Sequence, residues 1–282
     1  MDATQPLLPN LTPLEWIIYD ERDLRLIRRI MTTASESLTS LFLEVWAISP
    51  VADLLQFISS IIAPTCPSLR KLTVHSVALS SHLRHSVSEK FCHLHHLTTI
   101  HCGNLDAEVL NHLSRLPSLL ELKLALQPNV QFQNELLFEQ LRVLDMHAQD
   151  IPSAVDRPRA SVLAQLFCCL STSVSHYSLR RLQIMVAERP SHDLFSVLKL
   201  EDLHPLLSLN RSTHVHLDIG CEISLDDVAA SEMAQAWPNI VLNKFLETPL
   251  PSSMSPIGLL CFLKHCPNLL ELTLEIEFSF IE

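Results

Sequence analysis

The densest run of side chains able to do chemistry in this 282-residue chain lies between His75 and His112. It holds eight of the fifteen histidines together with Cys92 and Cys102. Imidazole and thiolate are the ligands zinc favours, and a structural site needs four of them converging tetrahedrally, usually as two close pairs. Phe91-Cys92-His93-Leu94-His95-His96 has that close spacing. Its side chains, however, fall on both faces of one local element, and the strand pattern described below turns Cys102 inward. The run therefore reads as an exposed, weakly titrating histidine face. A metal-dependent enzyme built on residues 75–112 is the alternative. No metal, no cofactor and no catalytic residue is expected.

Other reactive combinations fare no better. Cys168-Cys169 sits within the apolar run Val162 to Leu170 and reads as core. The chain contains no Gly-x-Ser-x-Gly and no His-Glu-x-x-His, the arrangements that expose a serine nucleophile or pair two histidines on one helix face. Only three glycines occur, Gly103, Gly220 and Gly258, too dispersed for a loop whose backbone amides cradle phosphate. The net charge of −11 comes without a basic stripe, which argues against nucleic acid and anionic membrane as partners. The start, Met1 to Pro6, lacks the basic and apolar regions of a signal peptide. Glu44, Pro50, Asp53 and Gln56 interrupt the most apolar stretch, Leu41 to Ile62, so no membrane span is expected. Eight cysteines without a Cys-x-x-Cys imply reduced thiols and a cytoplasmic or nuclear setting.

What organises the chain is a repeat. The phrase Leu8-Pro9-Asn10-Leu11 returns as Cys66-Pro67-Ser68-Leu69, Leu116-Pro117-Ser118-Leu119, Trp237-Pro238-Asn239-Ile240 and Cys266-Pro267-Asn268-Leu269. Downstream of it, and elsewhere, runs the pattern L-x-x-L-x-L. Clear copies begin at Leu38, Leu69, Leu97, Leu119, Leu141, Leu179 and Leu269, with weaker ones at Leu11, Ser212 and Ile240. The Ile240 copy is degenerate, with Asn243 where leucine is usual. One long interval, from Leu141 to Leu179, implies an inserted loop around Pro152 and Pro158. This pattern is the strand signature of leucine-rich repeats. The expected fold is α/β: one solenoid domain over residues 1–282, about ten repeats, with a curved parallel sheet on the concave side and helices on the convex side.

Between strands, helical spacing marks Asp106 to Leu116, through Val109, Leu110, Leu113 and Leu116. Ser224 to Asp227 resembles a capping box for a helix ending near Trp237. Ser255-Pro256 reads as N-cap and first helical residue of another ending near Cys266. The residue before each recurrent proline is expected to fill a buried slot, since Cys, Leu and Trp interchange there.

Alternation along a strand puts every second residue outside. The outward row comprises Lys71, Thr73 and His75; Thr99 and His101; Glu121 and Lys123; Val143, Asp145 and His147; and Arg181, Gln183 and Met185. Of these, Lys71, Thr73, His75, His101, Glu121, Lys123, Asp145, His147, Arg181 and Gln183 form the candidate partner-binding face.

With its Pro-Asn/Ser-Leu phrases, the passage from Leu225-Asp226-Asp227-Val228 to Trp237-Pro238-Asn239, and the closing Cys266-Pro267-Asn268-Leu269, the chain resembles the F-box and leucine-rich-repeat proteins of mushroom-forming fungi. That resemblance implies protein recognition, with the repeats choosing substrates for an SCF-type ubiquitin ligase and an F-box docking its Skp-type adaptor. Leu8-Pro9-Asn10-Leu11 already opens a repeat, and the amphipathic segment Asp23 to Met31 is too short for an F-box, so the F-box is expected to be missing. A Skp-type adaptor is then a partner only if an F-box lies upstream. A ligase-independent binding module or scaffold is the other reading. The apolar finish from Glu275 to Glu282 is expected to reflect truncation or a covering partner.

Overall fold

Each of the ten pattern copies becomes a β-strand beginning two residues after its first position. The computed structural model describes residues 11–34, 37–46, 62, 66–76, 94–103, 105, 107–126, 138–148, 159–186, 197–219, 221–245 and 254–273. The segment around Pro152 and Pro158, the phrase at Leu8, and the finish from Glu275 lie outside them. The chain divides into two compact units, residues 1–125 and 126–282.

The first unit carries β1 (Pro13–Ile18), β2 (Ser40–Val45), β3 (Lys71–Ser76), β4 (Thr99–Cys102) and β5 (Glu121–Leu126), joined as parallel neighbours in that order. The second carries β6 (Val143–Ala148), β7 (Arg181–Val186), β9 (His214–Asp218), β11 (Leu242–Phe245) and β12 (Glu271–Thr273), also parallel in that order. A short separate pair joins β8 (Val197–Leu198) to β10 (Glu222–Ile223). Each unit is thus an α/β assembly around a parallel sheet.

The register stacks like positions. Leu14, Leu41, Leu72, Ile100 and Leu122 form one inward row of the first unit. Leu144, Leu182, Val215, Asn243 and Leu272 form the matching row of the second. Of the first row, Leu41, Leu72, Ile100 and Leu122 are buried, and each contributes about 1.5–3 kcal/mol by leaving water. An exposed ion pair contributes about 0–1 kcal/mol. The inward rows, not the outward charges, therefore hold the sheets together.

Entry to most of these strands uses one carbonyl twice. Thr12 O accepts from the amides of Thr39 and Ser40, Thr39 O from Arg70 and Lys71, and Arg70 O from Thr98 and Thr99. Arg142, Arg180, Thr213 and Val241 do the same in the second unit. Just upstream, the Pro-Asn/Ser phrase closes a four-residue turn: the amides of Leu69, Leu119, Ile240 and Leu269 donate to the carbonyls of Cys66, Leu116, Trp237 and Cys266. Proline is pre-set for the second position of such a turn, and it keeps the residue before it out of helical geometry. That preceding residue is buried every time, as Cys66, Leu116, Trp237 or Cys266. The slot is also tied by hydrogen bonds. Trp237 Nε1 donates to Leu206 O at 3.4 Å, and Cys266 Sγ lies 3.5 Å from the carbonyls of Ala234 and Trp237.

Six helices are described: α1 (Glu21–Ala34), α2 (Ala107–Ser114), α3 (Arg159–Ser173), α4 (Leu200–Leu207), α5 (Asp227–Ala236) and α6 (Pro256–His265). None of the described helices is long and apolar enough to cross a membrane. In α1, Asp20 Oδ1 accepts from the amides of Arg22 and Asp23, while Asp23 returns its carboxylate to the Asp20 amide, a reciprocal N-terminal box. Its buried stripe is Leu24, Ile27 and Met31, so the amphipathic segment serves the core between β1 and β2. In the second unit α3 packs on α4, α4 on α5 and α5 on α6.

Two caps refine the sequence expectations. Ser255 caps α6 as expected, accepting from the Ile257 amide at 3.1 Å ahead of Pro256. Before α5 the cap is Asp226, accepting from Ala229 at 2.7 Å, not Ser224. Ser224 is still extended, its amide bonded to Leu198 O at 2.8 Å beyond the β8–β10 pair. Asp227 then reaches from α5 to the start of α6, accepting from Ser255 N, Ser255 Oγ and Gly258 N at 2.8, 2.7 and 3.0 Å. Gly258 is required there: a Cβ would lie 2.5 Å from Met254 Cγ and 2.8 Å from Asp227 Oδ1.

One inward position breaks the apolar rule. Asn243 is fully buried, and neither its amide oxygen nor its nitrogen has a hydrogen-bond partner among the described residues. An unsatisfied buried polar group costs about 1–3 kcal/mol, and leucine branches at the same carbon. Asn243→Leu is expected to stabilise the protein by about that amount, read as a higher urea midpoint with unchanged m-value. A lower midpoint would show that the amide is satisfied in solution.

Candidate functional site

The outward faces hold the candidate residues, and the register groups them into rows. In the first unit one row runs Ser40, Lys71, Thr99, Glu121 and another runs Phe42, Thr73, His101, Lys123. In the second, Val143, Arg181, His214, Leu242 and Glu271 share a row, and Asp145, Gln183, His216, Lys244 and Thr273 share the next. His147, Met185 and Asp218 make a third. All ten residues singled out from sequence face outward. Lys71, His75, His147 and Arg181 are exposed, Thr73, His101, Glu121, Lys123 and Gln183 are half-buried, and Asp145 is buried.

Within each unit some of them meet. His101 Nε2 lies 3.0 Å from Glu121 Oε1, and Lys123 Nζ approaches the same oxygen at 3.5 Å. His147 Nε2 lies 3.1 Å from Oδ1 of the buried Asp145. Gln183 Nε2 points to Met185 Sδ at 2.8 Å. Lys71 and Arg181 have no ion-pair partner among the described residues. His214, His216, Asp218, Lys244 and Glu271 join this face without having been singled out. The weaker copies at Ser212 and Ile240, counted with the same two-residue offset, would have found the first four, and the clear copy at Leu269 would have found Glu271.

Three imidazoles here, His101, His214 and His216, are shifted toward their neutral form. Burial pulls His101 below its ordinary pKa, and the Glu121 hydrogen bond only partly offsets this. Burial also lowers His214, with Arg181 adding to it. His216 is lowered chiefly by burial, against the opposing carboxylate of Asp218, and its Nε2 is buried without a partner. Thr213 commits its one hydroxyl proton to Arg180 O at 3.0 Å, so at 2.9 Å it accepts from His214 Nδ1–H.

Burial pushes Cys102 up to about 12 and raises Cys169 and Cys266, away from the thiolate that reacts or binds metal. Cys168, expected in the core, is exposed on α3 while Cys169 is half-buried. The run 162–170 is apolar almost throughout, so periodicity could not choose its solvent side. Cys92, His82, His85 and His93 lie outside the described residues. Those that remain place the His95 and His112 rings edge to face at 5.9 Å. Among the described residues no three His, Cys, Asp or Glu side chains are grouped to hold a metal ion.

No protein-family model matches the sequence, and no curated protein is similar to it.

The depressed histidines set a pH dependence. Above 6.5, their ordinary value, folded and unfolded chains both carry them neutral. Below it the unfolded chain takes up protons first, so stability falls with pH until the folded pKa values are passed. Asp227, whose carboxyl lies below its ordinary 3.8 largely through the Ser255 hydroxyl, titrates outside that window. The urea midpoint is expected to drop between about pH 7 and pH 5, and His216→Gln should make the drop shallower. A midpoint that is flat or rises toward acid would contradict the assignment.

Proposed function

We propose that the chain is a leucine-rich-repeat recognition module that binds protein partners on the outward faces of its parallel strands. The observation that carries this reading is the constant two-residue offset between all ten pattern copies and the ten strands. It gives every repeat the same geometry and leaves only the outward side chains free to vary. In both units that face is mixed in charge, and it offers Lys71 and Arg181 as cations without an ion-pair partner among the described residues. Such a surface suits recognition better than catalysis.

The resemblance to F-box and leucine-rich-repeat proteins supplies the specific setting we propose: choice of substrate for an SCF-type ubiquitin ligase, in the cytoplasm or nucleus. The described cysteines are all free thiols, which supports a reducing compartment.

A photocrosslinking residue placed in turn at Lys71 and Arg181, and at the exposed helix positions Glu232 and Lys264, tests the face. Bound chains are expected to crosslink from the strand positions only, identified by mass spectrometry. Crosslinks from the helices alone would overturn the reading. A Skp-type adaptor among co-purified chains supports the ligase setting; its absence reduces the proposal to a ligase-independent module.

A further inference from the structure

The outward face of β1, β2 and β3 differs in kind from the rest. Its rows are Pro13, Ser40, Lys71; then Glu15, Phe42, Thr73; then Ile17, Glu44, His75. The Trp46 amide donates to Ile18 O at 3.1 Å, extending the ladder by one step and setting Tyr19 beside Trp46. Three large side chains on this face stand in water: Tyr19 is 60% exposed, Trp46 54% and Ile17 44%. Phe42 shares the face, in the row of Glu15 and Thr73, its ring 5.5 Å from that of His75 and tilted by 31°. A folded chain gains nothing by leaving tryptophan and tyrosine in solvent, and these are the residue types that anchor protein interfaces.

Charge says what kind of partner fits. Glu15 and Glu44 interleave with the aromatic side chains, and neither has an ion-pair partner among the described residues. The outward cation of these three strands is Lys71, in the first row, away from Tyr19 and Trp46. An aromatic face carries negative charge density and attracts ammonium or guanidinium, arginine above all. Free carboxylates beside it add to that attraction and repel acidic chains. The net charge of −11 acts in the same direction over longer range.

We infer that this face docks a basic, arginine-bearing segment of a partner protein, with Tyr19 and Trp46 receiving guanidinium groups and Glu15 and Glu44 pairing with them. The inference rests on outward-face recognition and adds the chemistry of what is recognised at this end of the chain.

Tryptophan fluorescence reads it directly. Of the three tryptophans, Trp237 is buried and Trp16 half-buried, so acrylamide quenching reports chiefly on Trp46. Three twelve-residue probes, (Gly-Ser-Arg)4, (Gly-Ser-Gln)4 and (Gly-Ser-Glu)4, are titrated into the intact protein. The arginine peptide is expected to protect Trp46, and the other two to leave quenching unchanged. Glu15→Gln combined with Glu44→Gln should weaken the arginine peptide about tenfold, and rising salt should weaken it in the parent protein as well. Circular dichroism confirms that the double variant folds; if it does not, the salt titration of the parent decides. Equal protection by the glutamine peptide, or arginine binding indifferent to both the substitutions and salt, overturns the inference. Loss of arginine binding with crosslinking from Lys71 and Arg181 intact removes the basic-ligand assignment and leaves outward-face recognition standing. Loss of both removes them together.

Discussion

Everything in this fold depends on one constraint: in each parallel strand, alternate side chains must leave water while backbone pairing stays unbroken. The residue on the inward side is chosen by transfer free energy, and the doubly used carbonyl at strand entry fixes where that side begins. Thr12, Thr39, Arg70, Arg142, Arg180, Thr213 and Val241 all supply such a carbonyl. Their side chains have little in common, because the backbone does the pairing. The apolar periodicity sets the phase, and the turn before it sets the start.

The same constraint divides labour between the two faces. Inward, the chain keeps to apolar side chains: Trp237, Cys66 and Cys266 differ widely in size but occupy equivalent buried slots. Outward, neighbours on adjacent strands can be chosen freely, which is how His101 meets Glu121 and how Asp145 comes to lie beside His147. Burial pulls His101, His214 and His216 below their ordinary pKa, so near neutral pH the face presents carboxylates, a few cations and those uncharged rings. A surface built this way can change its side chains without touching its scaffold.

The strands were legible because leucine at every third and then second position leaves no other economical arrangement. The ten starts follow from that alone, and the burial of Cys66, Leu116, Trp237 and Cys266 before proline follows from the interchange of Cys, Leu and Trp there. The caps were less legible. Ser224 and Asp226 are both good N-cap residues, and only the tertiary pairing of Ser224 with Leu198 selects between them. Cys168 failed because Val162 to Leu170 has no polar residue other than Gln165 to mark a solvent side. The aromatic face of β1 and β2 escaped notice for a different reason. Tyr19 and Trp46 lie one residue beyond their strands, where the pattern has ended, and Ile17 resembles a core residue until pairing assigns its side. Asn243 was visible as a degenerate position, but its unsatisfied burial is a property of its neighbours.

The strand phase can be tested without a single substitution, because two methionines sit one position out of phase on adjacent strands. Met146 is inward and fully buried, whereas Met185 is outward and half-buried, paired in register with His147. Met31, Met233 and Met254 are also fully buried. Mild peroxide oxidation of the native protein, followed by peptide mass spectrometry, should convert Met185 to its sulfoxide while those four persist until denaturant is added. Oxidation of Met146 ahead of Met185 would mean the sheet is turned over by one residue, and the inward rows would not be the core.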